Sequence, residues 1–353
     1  MKQDDAHQCA GVTADAVTEA PLAIGPITLA GRAILAPMSG ITDIGMRRLA
    51  SRFGASLVVS EMVASDDLAC GDEEARTRAE GEGVAPHVVQ LAGCDPRWMA
   101  EGARVAEAAG AHIIDINMGC PAKRVTGGWS GSALMRDLDH AIKLVEATVA
   151  AVQVPVTLKM RLGWDDTSRN APELAARAVA SGIKMITVHG RTRQQFYKGT
   201  ADWTAVRAVR EAIPGVPLVV NGDIASTLHA QEALTASGAD AVMVGRAALG
   251  RPWCVGEIAR ALDGADAAGP SRAEQLACAI EHYETLLATY GARMGVRHAR
   301  KHLAAYADNA LEQVTLCEHT RAMRARIVVS ETPAEVILLL RKLFANVDTS
   351  LAA

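Results

Sequence analysis

The stretch IIDINMGCPAKRVTGGWSGSALMRD, residues 113–137, decides the reading of this chain. Ile113 to Asn117 form a β-rich run, and Gly119, Cys120 and Pro121 turn the backbone out of a sheet at its end. Gly127, Gly128, Ser130, Gly131 and Ser132 then make a flexible loop that the basic residues Lys123 and Arg124 lead into. A cysteine at the C-terminal end of a buried strand, ahead of such a loop, suits chemistry on a substrate that the loop closes over.

Working outward from this stretch, similar runs recur at Ala33–Leu35, Ser56–Glu61, His87–Leu91, Val156–Met160, Met185–His189, Leu218–Asn221 and Ala241–Val244, eight in all with Ile113–Asn117. Between most of them lie Ala- and Arg-rich stretches with helical spacing, such as Pro96–Ala109, Leu138–Ala151 and Pro172–Ala180, the last behind a capping-type Asn-Ala-Pro start. Eight strands alternating with helices predict a (β/α)8 TIM barrel. An open doubly wound sheet is the rival, but no GxGxxG follows the first strand. The rhythm stops after Pro252, and DGADAAGP, 263–270, reads as a linker. Beyond it, Leu276, Ile280, Tyr283, Leu286, Leu287 and Tyr290 line one helical stripe, and Val336, Leu339, Leu340 and Leu343 another. The expected organisation is a loose tail over 1–20, a barrel domain over 21–260 and a small helical bundle over 271–347.

Composition narrows the function classes. Half the residues are hydrophobic but only 3% are aromatic, as helix-clad parallel sheets built on Ala, Val, Leu, Ile and Met require. The formal net charge of -4 does not announce a nucleic-acid binder, although it leaves room for a local basic patch. The 7 cysteines are odd in number and form no CxxC pair, which argues against a disulfide scaffold or a zinc site. No apolar run reaches the roughly 18–20 residues needed to span a membrane, and the polar start MKQDDAHQC is unlike a secretory signal. A cytoplasmic protein without a metal, monomeric by default, is expected.

In a barrel, the C-terminal strand ends share one mouth, and here they are polar: Pro37-Met38-Ser39, Ser60-Glu61, Gln90, Asn117 with Cys120, Lys159 with Arg161, His189 with Arg191, Asn221-Gly222-Asp223, and Gly245-Arg246. The last two, at strands seven and eight, are where such barrels often hold a phosphate. Lys159 is either an inward ligand contact or a salt-bridged strand lysine. His189 is either a ligand neighbour or a satisfied core histidine. The amides of Gln90 and Asn117 suit the edge of a heteroaromatic ring. Cys120 is an inert buried residue or, with Lys123 and Arg124 nearby, an accessible proton donor; no adjacent base argues for a nucleophile. In the bundle, Arg293, Arg297, Arg300 and Lys301 form a cluster with no acid between Gly291 and Lys301, either a solvated face or a grip on phosphates.

The motifs APMSGITD (36–43), SEM (60–62), QLAG (90–93), DINMGCPAKRV (115–125), GSALMRD (131–137), TLKMRLGWDD (157–166), TVHGRTRQQFYKGTADW (187–203), NGDI (221–224) and MVGRAALGRPW (243–253) are together similar to those of the tRNA-dihydrouridine synthases, in their bacterial B-type branch. The resemblance runs from Ile24 into the bundle. It implies an oxidoreductase in which NADPH reduces FMN and the C5–C6 double bond of a tRNA uridine is then reduced, with Cys120 as proton donor to C5. It implies FMN contacts at Pro37, Met38, Ser39, Gln90, Asn117, Lys159, His189, Asn221, Gly222, Asp223, Gly245 and Arg246. It also implies tRNA contacts at Lys123, Arg124, Arg191, Arg293, Arg297, Arg300 and Lys301, and a D-loop uridine, position 17 by analogy, as the target. The alternatives are a dihydroorotate-dehydrogenase-like flavoprotein acting on a free pyrimidine, and a non-catalytic tRNA-binding protein. Gly127-Gly128-Trp129 departs from the basic or apolar residues of some relatives.

Overall fold

The computed structural model describes residues 21–312 and 318–351, so the tail expected over 1–20 lies outside the described residues. The described chain opens with a small antiparallel hairpin, β1 (Ala23–Ile24) and β2 (Ile27–Thr28), which the sequence reading did not foresee. Eight strands follow: β3 (Ala33–Leu35), β4 (Leu57–Ala64), β5 (His87–Ala92), β6 (Ile113–Met118), β7 (Val156–Arg161), β8 (Ile186–His189), β9 (Leu218–Asn221) and β10 (Ala241–Val244). Each pairs in parallel with its neighbour in the chain, and β10 closes on β3. The fold is therefore a TIM barrel, followed by C-terminal helices.

Burial on both faces explains why these strands read as apolar runs instead of alternating patterns. Ile34, Val59, Val88, Ile113, Val219 and Met243 form one buried cluster with Ile24, so the hairpin plugs the barrel at the end away from the mouth. Their strand neighbours Leu35, Ile114, Ile116, Leu158, Val188 and Val220 instead pack with helix residues such as Met99, Ala103 and Leu144. In β4 the register shifts between Val59 and Met62, which sets Ser60 and Glu61 at an irregularity. The Glu61 carboxylate there accepts a bond from the Gly40 amide and ties down the loop after β3. The Asn-Ala-Pro helix start behaves differently from expectation. Asn170 makes no side-chain cap: its Nδ2 donates to the Met135 carbonyl at 2.8 Å, and its Oδ1, the atom that would cap, is buried without a hydrogen-bond partner.

No strand or helix lies between Leu262 and Arg272, where a linker is expected. Ser271 and Glu274 cap the helix Arg272–Leu311 reciprocally, and Gly291, at φ 71°, breaks it. Helices Glu318–Val329 and Pro333–Leu351 complete the group. Tyr283, Leu286, Val336, Leu340 and Leu343 form its core, with Leu276, Ile280, Leu287, Tyr290 and Leu339 at the edge, as the two stripes require. Among the described residues no helix is long and apolar enough to cross a membrane.

A polar knot joins these helices to the barrel. Asp43 caps the helix Ile44–Arg52 through the Met46 amide and lies 3.1 Å from His282 Nε2 and 3.3 Å from His302 Nε2. His282 Nδ1 reaches the Tyr306 hydroxyl at 3.1 Å. Burial would raise the Asp43 carboxyl, but the two histidines outweigh it and hold it well below its ordinary range. Asp43, His282 and His302 are also the one group of potential metal ligands among the described residues whose atoms converge, within 4.8 Å.

Candidate active site

One cavity of about 1020 Å³ opens at the C-terminal end of the barrel, at the upper limit of the roughly 300–1,000 Å³ common for small-molecule sites. All twelve residues expected to contact a cofactor, from Pro37 through Arg246, line it, together with Cys120 and Lys123. Cys120 is half-buried. Its carbonyl accepts from Ser132 N at 3.1 Å and Ser132 Oγ at 2.9 Å, which folds the loop that follows back over the end of β6. Gly131 allows this approach: it sits at φ 61°, and a Cβ there would meet the Cys120 carbonyl at 2.8 Å.

A chain of hydrogen bonds fixes the amides beneath the thiol. Asn117 Oδ1 accepts the backbone amides of Cys120 at 3.0 Å and Gly119 at 3.2 Å. Asn117 Nδ2 must therefore donate, and it does so to Gln90 Oε1 at 2.8 Å. Gln90 Nε2 in turn donates to Asp115 Oδ2 at 2.6 Å, while Thr157 donates to Asp115 Oδ1 at 2.5 Å. Each assignment forces the next, so a buried carboxylate orients both amides without touching the cavity. Burial raises the Asp115 carboxyl, against the lowering effect of the two donors.

The charged floor lies beside this chain. Lys159 faces the cavity and has no hydrogen bond or ion pair to the described residues. Burial, then the Arg161 charge, lower its ammonium to about 8. His189 is held well below its ordinary range by burial first and then by Lys159, Arg161 and Arg191, so it is neutral. Arg191 Nη1 lies 3.3 Å from His189 Nε2. A guanidinium has no lone pair, so Nε2 accepts and the ring proton sits on Nδ1. Gly222, at φ 118°, brings the β9 loop against that ring, where a Cβ would lie 2.9 Å from His189 Cδ2.

Buried charge without a protein partner is costly, and a cavity-facing ammonium next to donor–acceptor amides has the chemistry to hold an electron-rich heterocycle. These residues fit FMN: Lys159, Gln90 and Asn117 would take the ring, and the loops of Gly222-Asp223 and Gly245-Arg246 its phosphate.

Residues 34–343 match the family model described as dihydrouridine synthase (Dus). The chain belongs to the dihydrouridine synthase family. It is 54% identical, over 88% of its length and 94% of the relative's, to a probable tRNA-dihydrouridine synthase of Rhizobium leguminosarum bv. phaseoli. It is 46% identical, over 91% of its length and 95% of the relative's, to tRNA-dihydrouridine synthase B of Xanthomonas campestris pv. campestris. Among solved structures, morphinone reductase in complex with tetrahydroNAD shares the barrel, with a TM-score of 0.50 at 16% identity over 72% of this chain and 93% of that one.

Within this Dus chain the expected RNA contacts divide. Arg124, Arg293 and Arg297 are exposed. Arg300 lies 3.6 Å from Glu331, and Lys301 lines a small crevice with Gly40, Asp43 and Glu61 where the helices meet the barrel. Arg191 is a correction. It is 1% exposed and bonds the Asp223 carboxylate and the Lys198 and Gly199 carbonyls, so its guanidinium is used up inside the protein and braces the β9 loop. Asp223, expected as a cofactor contact, lines the cavity but spends its carboxylate on Arg191, Arg246 and the Ala201 amide.

Sequence reasoning missed Asp115 and underrated Arg161. Arg161 Nε donates to the Gly119 carbonyl at 2.8 Å and its Nη1 to the Thr192 and Phe196 carbonyls, each at 2.9 Å. It thereby staples the Cys120 turn to the loop after β8. Its place two residues after Lys159, on the same face of one strand, was the available signal. Phe196 and Tyr197, also on the cavity wall, were quoted only inside a family motif.

Proposed function

We propose that the chain is an FMN-dependent, NADPH-driven tRNA-dihydrouridine synthase that reduces the C5–C6 double bond of a D-loop uridine, assigned as position 17. The observation that carries this reading is the meeting, in one cavity, of a half-buried thiol and an unpartnered buried ammonium beside an oriented amide pair. Pro37, Met38, Ser39, Gln90, Asn117, Lys159, His189, Asn221, Gly222, Asp223, Gly245 and Arg246 form the proposed cofactor site. Bound FMN, once reduced by NADPH, would supply the hydride that ends on C6. Lys159 donates to an acceptor of the ring and so gains the partner it lacks. Neutral His189 excludes water and adds no charge.

Cys120 acts as a general acid: its S–H bond breaks as the proton passes to C5, and the thiolate recovers a proton from solvent. Asn117 holds the Cys120 backbone amide and so fixes where the thiol points. Lys123 and Arg124 flank the entry, and Arg293 and Arg297, in the turns that follow Gly291, are the proposed phosphate contacts of the helical domain. Such an enzyme works as a monomer in the cytoplasm, where its tRNA is found.

The purified protein should bind FMN, lose the flavin absorbance with NADPH, and recover it faster with unmodified tRNA than with free uridine or orotate. Equal reoxidation by a free pyrimidine would sink the tRNA reading. Cys120→Ala should lower dihydrouridine formation about 10²- to 10⁴-fold. Mapping dihydrouridine in tRNA from cells lacking the protein tests position 17.

A further inference from the structure

We propose that Trp129, at the exposed end of a ladder of aromatic rings and guanidinium groups beside the mouth that continues through Arg136, Trp164, Arg193 and Phe196, stacks an unpaired nucleotide that flanks the reacting base. This rests on the RNA-reducing function proposed above, and assigns it a second surface remote from the helical domain. Arg136 lies between two rings, 5.2 Å from the centroid of Trp129 and 5.0 Å from that of Trp164. Arg193 continues the stack, 4.7 Å from Trp164 and 5.6 Å from Phe196. Phe196 meets Tyr197 edge-on at 5.7 Å, and both line the cavity. The ladder thus runs from the exposed lid to the reaction chamber, assembled from the loops after β6, β7 and β8.

Three observations set it apart from ordinary surface. Aromatics are 3% of the chain, yet four of them gather on this rim, with Trp129 56% and Tyr197 51% exposed. These two rings are thus held out of the core, against the usual gain from burying them. Trp129 and Phe196 also sit at φ 57° and 56°, and with Asp223 they are the only non-glycine residues at positive φ among the described residues. Bulky side chains adopt that conformation only where surrounding structure enforces it.

The cations, finally, stack on the rings with their charge not neutralised. Neither Arg136 nor Arg193 has a carboxylate within ion-pair distance among the described residues, and Arg193 Nε is buried without a partner. The nearby acids are engaged elsewhere: Asp166 and Asp202 bond Arg169, and Asp165 accepts from Thr167 and Ser168. An exposed indole for a base, propped on guanidinium groups whose positive charge suits phosphates, matches single-stranded RNA. An acidic peptide would use the charges and leave the rings idle.

The test uses the full chain loaded with FMN and unmodified tRNA made by transcription. Trp129→Ala should weaken tRNA binding about 5- to 100-fold, and Trp164→Ala, which removes the ring that backs Arg136, should weaken it as well. The rate of flavin reduction by NADPH should stay unchanged, and Trp129→Phe should restore binding. Trp129 is exposed, so its truncation decides the matter even if Trp164→Ala lowers the melting temperature. Binding within twofold of wild type for Trp129→Ala overturns the proposal, and so does a loss that Trp129→Phe fails to rescue. If the wild-type protein makes no dihydrouridine at all, the function reading fails instead, and the two failures remain distinct.

Discussion

Asp43, where the helices meet the barrel, and Lys159, on the cavity floor, are both buried charges, but only Asp43 has protein partners. His282 and the Met46 amide bond the carboxylate and His302 lies 3.3 Å from it, while the ammonium faces a cavity in which nothing among the described residues bonds it. The pKa directions follow: partners drive Asp43 toward its charged form, and burial drives Lys159 away from its own. A charge completed from within holds two parts of the fold together. One left incomplete is a place for a ligand, maintained at a cost in stability.

The sharpest way to break the comparison is to delete each charge. Asp43→Ala should destabilise the protein by about 3–5 kcal/mol, because His282 loses its buried acceptor and His302 the carboxylate beside it. Urea unfolding measures this, and a loss under about 1 kcal/mol would show that the junction does not depend on the carboxylate. Lys159→Met should act in the opposite direction and stabilise the FMN-free protein by on the order of 1–3 kcal/mol. The same substitution should weaken FMN binding. Because the folded value, about 8, lies below 10.5, the native ammonium is disfavoured, so the penalty is full below pH 8 and fades toward 10.5. FMN affinity of the wild type should fall as pH rises through 8, and the Lys159→Met profile should be flat by fluorescence titration.

A pH effect of similar size concerns His302, lowered from 6.5 to about 4 by burial and then by His282. Between those values the unfolded chain binds a proton that the native junction refuses. Stability should therefore decline as pH drops from 6.5 to 4, by up to about 1.4 kcal/mol per unit. His189 and His87 are lowered as well, so the difference between wild type and His302→Gln isolates this one contribution. Parallel stability curves for the two proteins would remove His302 from the account.

Much of the barrel was legible because a parallel strand buried on both faces leaves a local mark, an apolar run closed by turn residues. All eight runs became strands, with ends differing by a few residues, the most at β4, where the bulge prolongs the strand. Cys120, Gln90, Asn117 and Lys159 could be picked out for the same reason, since a polar residue that ends an apolar run in a barrel stands at the mouth. Arg191 shows the limit of that rule: it obeys the pattern yet turns inward to Asp223, a partner 32 residues away.

Sequence alone thus determined the strand rhythm, the end of the barrel at which the cavity opens and the thiol in its lining, because each is written in neighbouring residues. Only the tertiary structure decided how polar groups are paired. Asp43 finds His282 across 239 positions, Asp115 orients Gln90 across 25, and Arg136 enters between two tryptophans from different loops. Hydrogen bonds and cation–ring contacts act over a few ångströms in space and leave no period in the chain, so which charges are satisfied and which await a ligand emerges only once the barrel has closed.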